Sequence, residues 1–474
     1  MKNIVLNLLK ILAISIITCA SGCLIYYINK LNVLQSKYII LLSLVIILIL
    51  LFIIFKLTRK KTRLFSKVIF GFLAVIISIG YLFIILYTKQ TINFVSKMTE
   101  VNYETQKYSV MVLNDSSYTS ISDLEDKNIG FISTNINLKK TVNKLKDDID
   151  FETKKYDDIG TMVSGIYTGS IDALVIDESY LDMLEENNSQ FYSDSKEIHS
   201  FYVRVKKKDT RKKVNVNKEP FVLYISGSDS RNGVKAIARS DVNIVAVVNP
   251  NTNKILLVSI PRDYYVQLHG TTGTKDKLTH VGIYGIDMSK TTIEDLLSIN
   301  INYYAKVSFA TVINVVDVID GITIYSEKAF NPRAGRNCPI VEGNQQLNGE
   351  CALAFARERY TYTTGDRHRG ENQQAVISAI ISKLNNPKYL VKYNEILRAA
   401  DGSFETDLSY DEITNLVKYQ LSELKDWRVE SISLDGTGAS LPTYSMGSQN
   451  LYVMIPDEST IQAAKTKINE YLEN

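Results

Sequence analysis

The chain has 474 residues, 45% hydrophobic and 22% charged, with a formal net charge of +3 at pH 7. A balance so near neutral excludes the electrostatic footprint of a nucleic-acid binder, and the length accommodates two or three domains. The averages conceal a division: roughly the first ninety residues are nearly all apolar, and the rest is a mixed sequence of globular type.

Three apolar runs occupy residues 4–27, 38–57 and 68–87. Each is about 20 residues or longer, the length that crosses a hydrocarbon core as a helix. They define a transmembrane anchor over residues 1–96. A cleaved signal peptide is the rival reading of the first run, but the run is long and no A-x-A site follows it. Ala20-Ser21-Gly22-Cys23 lacks the preceding Leu of a lipoprotein site. The loop between the second and third runs holds Lys56, Arg59, Lys60, Lys61, Arg63 and Lys67, whereas the other short loop has only Lys30 and Lys37. The positive-inside rule puts the richer loop in the cytoplasm, together with the N-terminus and Lys2. The third helix then exits, and everything beyond about Lys89 is expected outside the cell.

Residues 97–213 alternate strand-like and helical patterns. YSVMVL reads as a strand, ISDLEDKNIGFIST as a short helix and a strand, LKKTVNKLKDDI as an amphipathic helix and IDALVID as a strand. This is α/β in style. Two pieces, SISDLEDKNIGFIS and GIYTGSIDALVIDESY, resemble one lobe of an extracellular solute-binding protein. No catalytic constellation occurs here, so the region reads as an accessory domain with an interaction or spacer role. The basic stretch at 203–218, VRVKKKDTRKKVNVNK, has no apolar periodicity and reads as a solvated linker rather than an anionic-lipid site.

Residues 214–474 open with FVLYISGSDSR, a strand running into Gly227, Ser228, Asp229, Ser230 and Arg231. A polar turn after a buried strand is where α/β folds place ligand groups. VNIVAVV and KILLVSI then flank NPNTN, a hairpin signal. Its open ends carry Arg239-Ser240-Asp241 and Pro261-Arg262-Asp263, so the hairpin brings these groups side by side. TTIEDLLSI and SFATVINVVDVI read as helices, GITIYS as a strand, and LNGECALAFARERY as a helix ending in Arg357 and Arg359. A loop, TYTTGDRHRGENQQ, leads into the helix AVISAIISKL; Arg369 and Gln373 share a face if that helix starts early.

Arg239, Arg262, Arg357, Arg359, Arg367 and Arg369 are many guanidinium groups for one site. Arg grips phosphate bidentately and stays charged. Such a cluster calls for a strong anion, with Asp229, Asp241 and Asp366 among the cations. A pyrophosphate beside two carboxylates also suits Mg²⁺. The competing reading, surface salt bridges on loops, is reasonable for any single Arg and weak for a set placed at element ends. There is no G-x-S-x-G, H-E-x-x-H or P-loop. His280 reads as a hydrogen-bonded structural residue, and neither it nor His368 has metal-ligand spacing. Cys338 and Cys351 fit no zinc motif; a disulfide and two thiols both stand as readings.

From about Glu219 to its end, the chain resembles the LytR–CpsA–Psr family of Gram-positive cell-envelope enzymes. The residues that carry the resemblance are GSDSR at 227–231, RSD at 239–241, SIPRD at 259–263, KLTH at 277–280 and ALAFARERYTYTTGDRHRGENQQ at 352–374. A three-helix anchor followed by an accessory domain is most similar to the family's streptococcal capsule branch. The resemblance implies an α/β protein whose last domain is an α/β/α layered structure with a central mixed sheet. It implies a phosphotransferase that moves a glycopolymer, here capsular polysaccharide, from undecaprenyl pyrophosphate onto peptidoglycan at the membrane's outer face. In that pattern Arg239, Arg357, Arg359, Arg369 and Gln373 hold the pyrophosphate, and Asp229 and Asp241 hold Mg²⁺ or Mn²⁺. Arg262 stabilises the transferring phosphoryl group, Asp241 takes part in catalysis through the metal, and Asp366 orients the arginines or assists proton transfer. An apolar pocket beneath the hairpin takes the prenyl chain. The family often has Arg where Asn372 stands, which puts one phosphate contact in question. Two other functions compete: a polyprenyl pyrophosphatase with water as acceptor, and a non-enzymatic regulator of capsule synthesis. Direct DNA binding conflicts with the topology.

Overall fold

The computed structural model describes all residues except 1, 100–102, 136, 229–233, 235, 236, 334, 336, 391 and 474. They fall into two compact units: 1–99 with 385–398 and 409–425, and 100–384 with 399–408 and 426–474.

The first unit is built on α1 (Lys2–Leu31), α2 (Ser36–Thr58) and α3 (Leu64–Thr99). All three are long and apolar enough to cross a membrane, and together they form a membrane anchor. Large apolar side chains face outward, Leu48 at 63% and Phe72 at 70% exposure. Such an all-round apolar surface suits a lipid environment. Ile17, Ile53, Leu57 and Ala74 pack the inner seam. α3 continues well past its apolar run, because Ile92 and Val95 keep a buried helical face beyond Lys89. Three short helices, Pro387–Leu390, Tyr393–Ala399 and Tyr410–Glu423, belong to this unit. The Tyr410 hydroxyl donates to the Leu31 carbonyl at 3.0 Å, Lys418 to Asn32 Oδ1 at 3.2 Å, and Arg398 Nη2 to Gln90 Oε1 at 2.7 Å. The last two of these helices therefore meet the C-terminal end of α1 and the last third of α3.

The second unit holds two main sheets. The first contains β1 (Tyr103–Leu113), β2 (Asn128–Ile132), β3 (Glu152–Tyr156), β4 (Ala173–Asp177) and β5 (Ser195–Lys206), in the order β3-β2-β4-β1-β5. α4 (Leu138–Lys146), α5 (Ile159–Tyr167), α6 (Glu178–Asn187) and α7 (Ser189–Asp194) connect them. Val110, Phe131, Leu145 and Phe151 fill one face. Met162, Ile166, Leu174 and Met183 fill the other, and that core runs on into the second sheet's core. Asp177 caps α6, accepting from the Ser179 and Tyr180 amides at 3.0 and 3.2 Å and from Gln106 Nε2 at 3.1 Å. Burial pushes its carboxyl up to about 6, against the opposing pull of those amides.

The basic stretch after this sheet is irregular and largely exposed beyond residue 206, but it is not wholly a solvated linker. Its first four residues complete β5. Lys207 then pairs with the buried Glu405, and Lys212 reaches Glu294 at 2.7 Å. The Thr210 carbonyl accepts from the buried Lys290 at 2.8 Å. Two acids distant in sequence thus pair with two of its cations.

The second sheet is formed by β6 (Phe221–Ser228), β7 (Val242–Asn249) and β8 (Lys254–Ser259) with three later strands. Between lie β9 (Tyr265–Val266), β10 (Asp276–Lys277), α8 (Leu278–Val281) and α9 (Ile286–Leu297). Then follow β11 (Tyr303–Ser308), α10 (Phe309–Val318), β12 (Ile322–Ser326), β13 (Gly343–Leu347), α11 (Gly349–Arg357), α12 (Asp366–Leu384), β14 (Phe404–Thr406), β15 (Arg428–Ser433) and the ribbon β16 (Gly436–Thr443)–β17 (Gly447–Pro456). The sheet order is β14-β11-β6-β7-β8-β15. β11 runs parallel to β6 and β15 to β8, while β6, β7 and β8 alternate, which makes the sheet mixed. Alternation along the strands sends Val245, Val247, Leu256 and Val258 to one face, against α9 and the C-terminal helix Glu458–Glu473. Ile244, Ala246, Ile255 and Leu257 point to the other, against Ile377 and Ile381 of α12. The result is the expected α/β/α layering. β12 departs from the main sheet and pairs with β13 alone. Cys338 and Cys351 form a disulfide with Cα atoms 5.1 Å apart.

Candidate active site

The β7–β8 hairpin brings the groups at its open ends together. Asn249 accepts from the Asn251 and Thr252 amides at 2.9 and 3.2 Å, closing the turn through its side chain. At the other end the Asp241 amide donates to the Gly227 carbonyl at 2.8 Å, just before β7 begins, and Arg262 follows β8 by three residues. Arg262 Nη1 meets Asp241 Oδ1 at 2.6 Å.

The KLTH segment clamps this pair. The Thr279 amide donates to the Arg262 carbonyl at 2.8 Å and the Ser240 amide to the Thr279 carbonyl at 3.1 Å. Lys277 Nζ reaches Asp263 Oδ1 at 2.6 Å. His280 is buried, with Nδ1 at 2.8 Å from Asp276 and 2.9 Å from Ser445 Oγ. Both partners share one ring nitrogen, so the trio is a structural tie and not a nucleophile–base–acid relay.

α12 supplies the second side. It starts at Asp366, earlier than the polar TYTTGDRHRGENQQ segment suggested, with that acid in its first turn. Arg367, Arg369 and Gln373 are therefore helical, and Arg369 and Gln373 share a face. Gly370 permits the approach of α12 to β8: a Cβ there would sit 2.5 Å from Ser259 Oγ. Gln374 locks the contact, donating to the Leu257 and Ile432 carbonyls at 2.9 and 2.7 Å. Asn372 is buried and donates to the Phe355 carbonyl at 3.1 Å, tying α12 to the end of α11.

Together these elements form a small polar cleft lined by Asp241, Arg262, Asp366, Arg367, Arg369 and Gln373, with Ser259 and Ser433 at its floor. Asp366 and Arg369 are paired and mostly buried. Burial pushes the Asp366 carboxyl up, with Arg369 pulling it back and Asp263 adding to the rise. Burial likewise pulls the Arg369 guanidinium down, opposed by Asp366. Arg367 Nη1 is held by Asp435 at 2.5 Å.

Three expected residues do not line this cleft. Arg239 is half-buried two residues before Asp241. Arg357 is exposed and lies 4.4 Å over the Phe309 ring. Arg359 is exposed, bonded to the Tyr360 hydroxyl at 2.7 Å, and its charge acts on both Asp366 and Arg369. Between them the buried Glu358 accepts from the Tyr360 and Thr361 amides at 2.5 and 3.1 Å, fixing the turn that presents both arginines. Asp229 lies outside the described residues. Asp263, Lys277 and Glu358 hold the site's backbone and ion pairs in place, roles that the motifs SIPRD, KLTH and ARER do not announce by themselves.

Asp241 offers the hard oxygen that Mg²⁺ takes. Among the described residues no group of three His, Cys, Asp or Glu side chains makes a complete metal cage. Asp241 Oδ1 is taken by Arg262, which leaves Oδ2 for a cation.

A sequence model for the LytR_cpsA_psr family matches residues 185–470. The chain is 33% identical over 280 residues to the polyisoprenyl-teichoic acid–peptidoglycan teichoic acid transferase TagU of Bacillus subtilis (strain 168), covering 58% of this chain and 85% of that protein. It is 34% identical over 251 residues to the TagU of Enterococcus faecalis (strain ATCC 700802 / V583), covering 52% and 80%. Among solved structures, B. subtilis TagV is 28% identical, covering 54% of this chain and 98% of that chain with a TM-score of 0.46.

Proposed function

This chain belongs to the LytR_cpsA_psr family, and from that membership we propose that it is a membrane-anchored phosphotransferase that attaches a glycopolymer from a polyprenyl pyrophosphate, undecaprenyl in the family pattern, to peptidoglycan. The observation that carries this reading is the cleft where Arg262, Arg367 and Arg369 converge with Asp241 and Asp366. Arginines held by carboxylates are preorganised for an anion that must enter and leave. The basic cytoplasmic loop of the anchor supports a site outside the cell.

In this reading the accessory domain covers residues 97–213 and the catalytic domain 214–474. Arg239, Arg357, Arg359, Arg369 and Gln373 hold the pyrophosphate. A peptidoglycan hydroxyl oxygen attacks the polymer-bearing phosphorus, and the bond from that phosphorus to the bridging oxygen breaks. Polyprenyl phosphate leaves, and the acceptor's proton passes to Asp366 or to solvent. Arg262, fixed by Asp241, stabilises charge on the phosphoryl oxygens as they pass through the transition state. Mg²⁺ or Mn²⁺ held by Asp241 and Asp229 would supply further neutralisation of phosphate charge. The prenyl chain would enter an apolar pocket beneath the hairpin and the helices.

The polymer we propose is capsular polysaccharide, on the likeness to the capsule branch; teichoic acid, named for the relatives, is the alternative. The test uses full-length protein in bilayers with peptidoglycan and either lipid-linked polymer. Polymer covalently attached to peptidoglycan supports transfer, and the faster donor identifies the substrate. Release of free polymer makes it a pyrophosphatase. Normal attachment by Arg262→Ala would remove the cleft from the mechanism.

A further inference from the structure

The anchor carries a feature that tethering alone does not require. α1 and α3 enclose an apolar groove of about 330 Å³, lined by Leu9, Ala13, Ile16, Phe72 and Val75 and floored by Gly71. Lys10 and Lys67 line the same groove. Lys10 lies two turns inside α1, where a charge is expensive unless it finds a partner.

No partner is available in the anchor sequence. Residues 1–99 contain twelve Lys and Arg and no Asp or Glu. The acids of the helices Tyr393–Ala399 and Tyr410–Glu423 belong to the same unit, but those helices bond to Leu31, Asn32 and Gln90. At 1.5 Å per residue, these points are about 30 Å along α1 and α3 from Lys10 and Lys67. That distance is far beyond the roughly 4 Å of an ion pair.

We propose that this groove is a binding site for one anionic phospholipid of the leaflet beside the basic loop. An acyl chain would lie along the apolar wall, with the phosphate headgroup between Lys10 and Lys67. Charge complementarity selects the occupant: two cations lining an apolar groove, with no acid of their own unit near them among the described residues, match an amphiphile with an anionic head.

The test is native mass spectrometry of the full-length protein, released from micelles containing phosphatidylglycerol and phosphatidylcholine with identical chains. Each lysine near an anionic lipid surface contributes about fivefold, so the pair predicts a preference for phosphatidylglycerol of about twenty-five-fold. The double variant Lys10→Gln/Lys67→Gln should lose that preference. Gly71→Leu keeps every charge but fills the groove, and nothing lies within 4 Å of a Cβ at that position. It too should release the lipid, which separates a built site from general attraction to a basic loop. Helicity by circular dichroism checks folding; if the lysine variant unfolds, Gly71→Leu decides alone. Retention by Gly71→Leu equal to wild type, no preference in the wild type, or a dimer that Gly71→Leu dissociates would each overturn the proposal.

Discussion

Arg262→Lys separates geometry from charge at the proposed transition state. The Arg262 side chain is only 15% exposed, with Nη1 2.6 Å from Asp241 and its backbone carbonyl held by Thr279. A planar fork can keep Asp241 with one nitrogen while presenting others to a phosphoryl oxygen. A lysine ammonium is a single point charge and cannot serve both. Loss of one preorganised donor costs about 10²–10³ in turnover. The retained positive charge offsets part of that, giving an expected drop of roughly tenfold to a thousandfold, or about 1.4–4 kcal/mol of barrier. Lipid affinity should change much less. Arg357→Ala should show the opposite balance, since in the proposed mechanism Arg357, exposed at the end of α11, grips the ground-state pyrophosphate and not the transferring group. Transfer rate and donor affinity would be measured for both variants, with folding followed by circular dichroism. Normal turnover in Arg262→Lys, or equal losses of rate and affinity, would refute its assignment to the transition state.

Four further outcomes are expected. Asp229→Asn/Asp241→Asn should abolish metal-dependent transfer with the fold intact; unchanged metal dependence would reject the pair as ligands. Burial raises the Asp366 carboxyl, so in the wild type it protonates above the ordinary Asp range and releases Arg369. Transfer rate should therefore fall as pH drops through that window, whereas Asp366→Asn should be slow throughout and lack this acid limb. Asp177 has its folded pKa raised from 3.8 to about 6, so the folded state keeps a proton that the unfolded chain releases. Stability should decline as pH rises from about 4 to 6, by about 3 kcal/mol in all, and urea titrations of Asp177→Asn should lack most of that decline. Replacing both Cys338 and Cys351 by Ser reopens a 13-residue separation, about 3 kcal/mol of loop-closure entropy; an unchanged urea midpoint would show that the bridge constrains nothing.

Much of the architecture was legible because its signals are local. Apolar length located the three membrane helices, and NPNTN between two β-branched runs located the hairpin. Turn chemistry then sufficed to place Asp241 beside Arg262, since strand pairing leaves the open ends no other arrangement. Hydropathy gave shorter anchor helices than the structure shows, because Lys89 and Gln90 interrupt the apolar run while helical periodicity continues through Ile92 and Val95. The start of α12 was hidden for a related reason. Its first turns are polar and contain Gly370, which looks like a breaker until it is seen against Ser259.

What the sequence concealed are interactions between residues far apart. The run at 203–218 looks uncompensated because Glu294 and Glu405, which pair with Lys212 and Lys207, lie more than eighty positions downstream. The same logic explains the site. Asp263 and Lys277 are unremarkable separately, yet their 2.6 Å pair ties the end of SIPRD to KLTH, while Thr279 holds the Arg262 backbone. Composition can therefore announce that arginines and carboxylates are abundant, but it cannot say which of them are anchored. Anchoring matters because a preorganised donor stabilises charge without reorganising during reaction. Arg262 and Arg369 have carboxylate partners inside the cleft, and Arg357 and Arg359 lie exposed over the Phe309 and Tyr360 rings. The first pair suits rigid stabilisation of a transferring group, and the second, at the protein surface, suits first contact with an incoming anion.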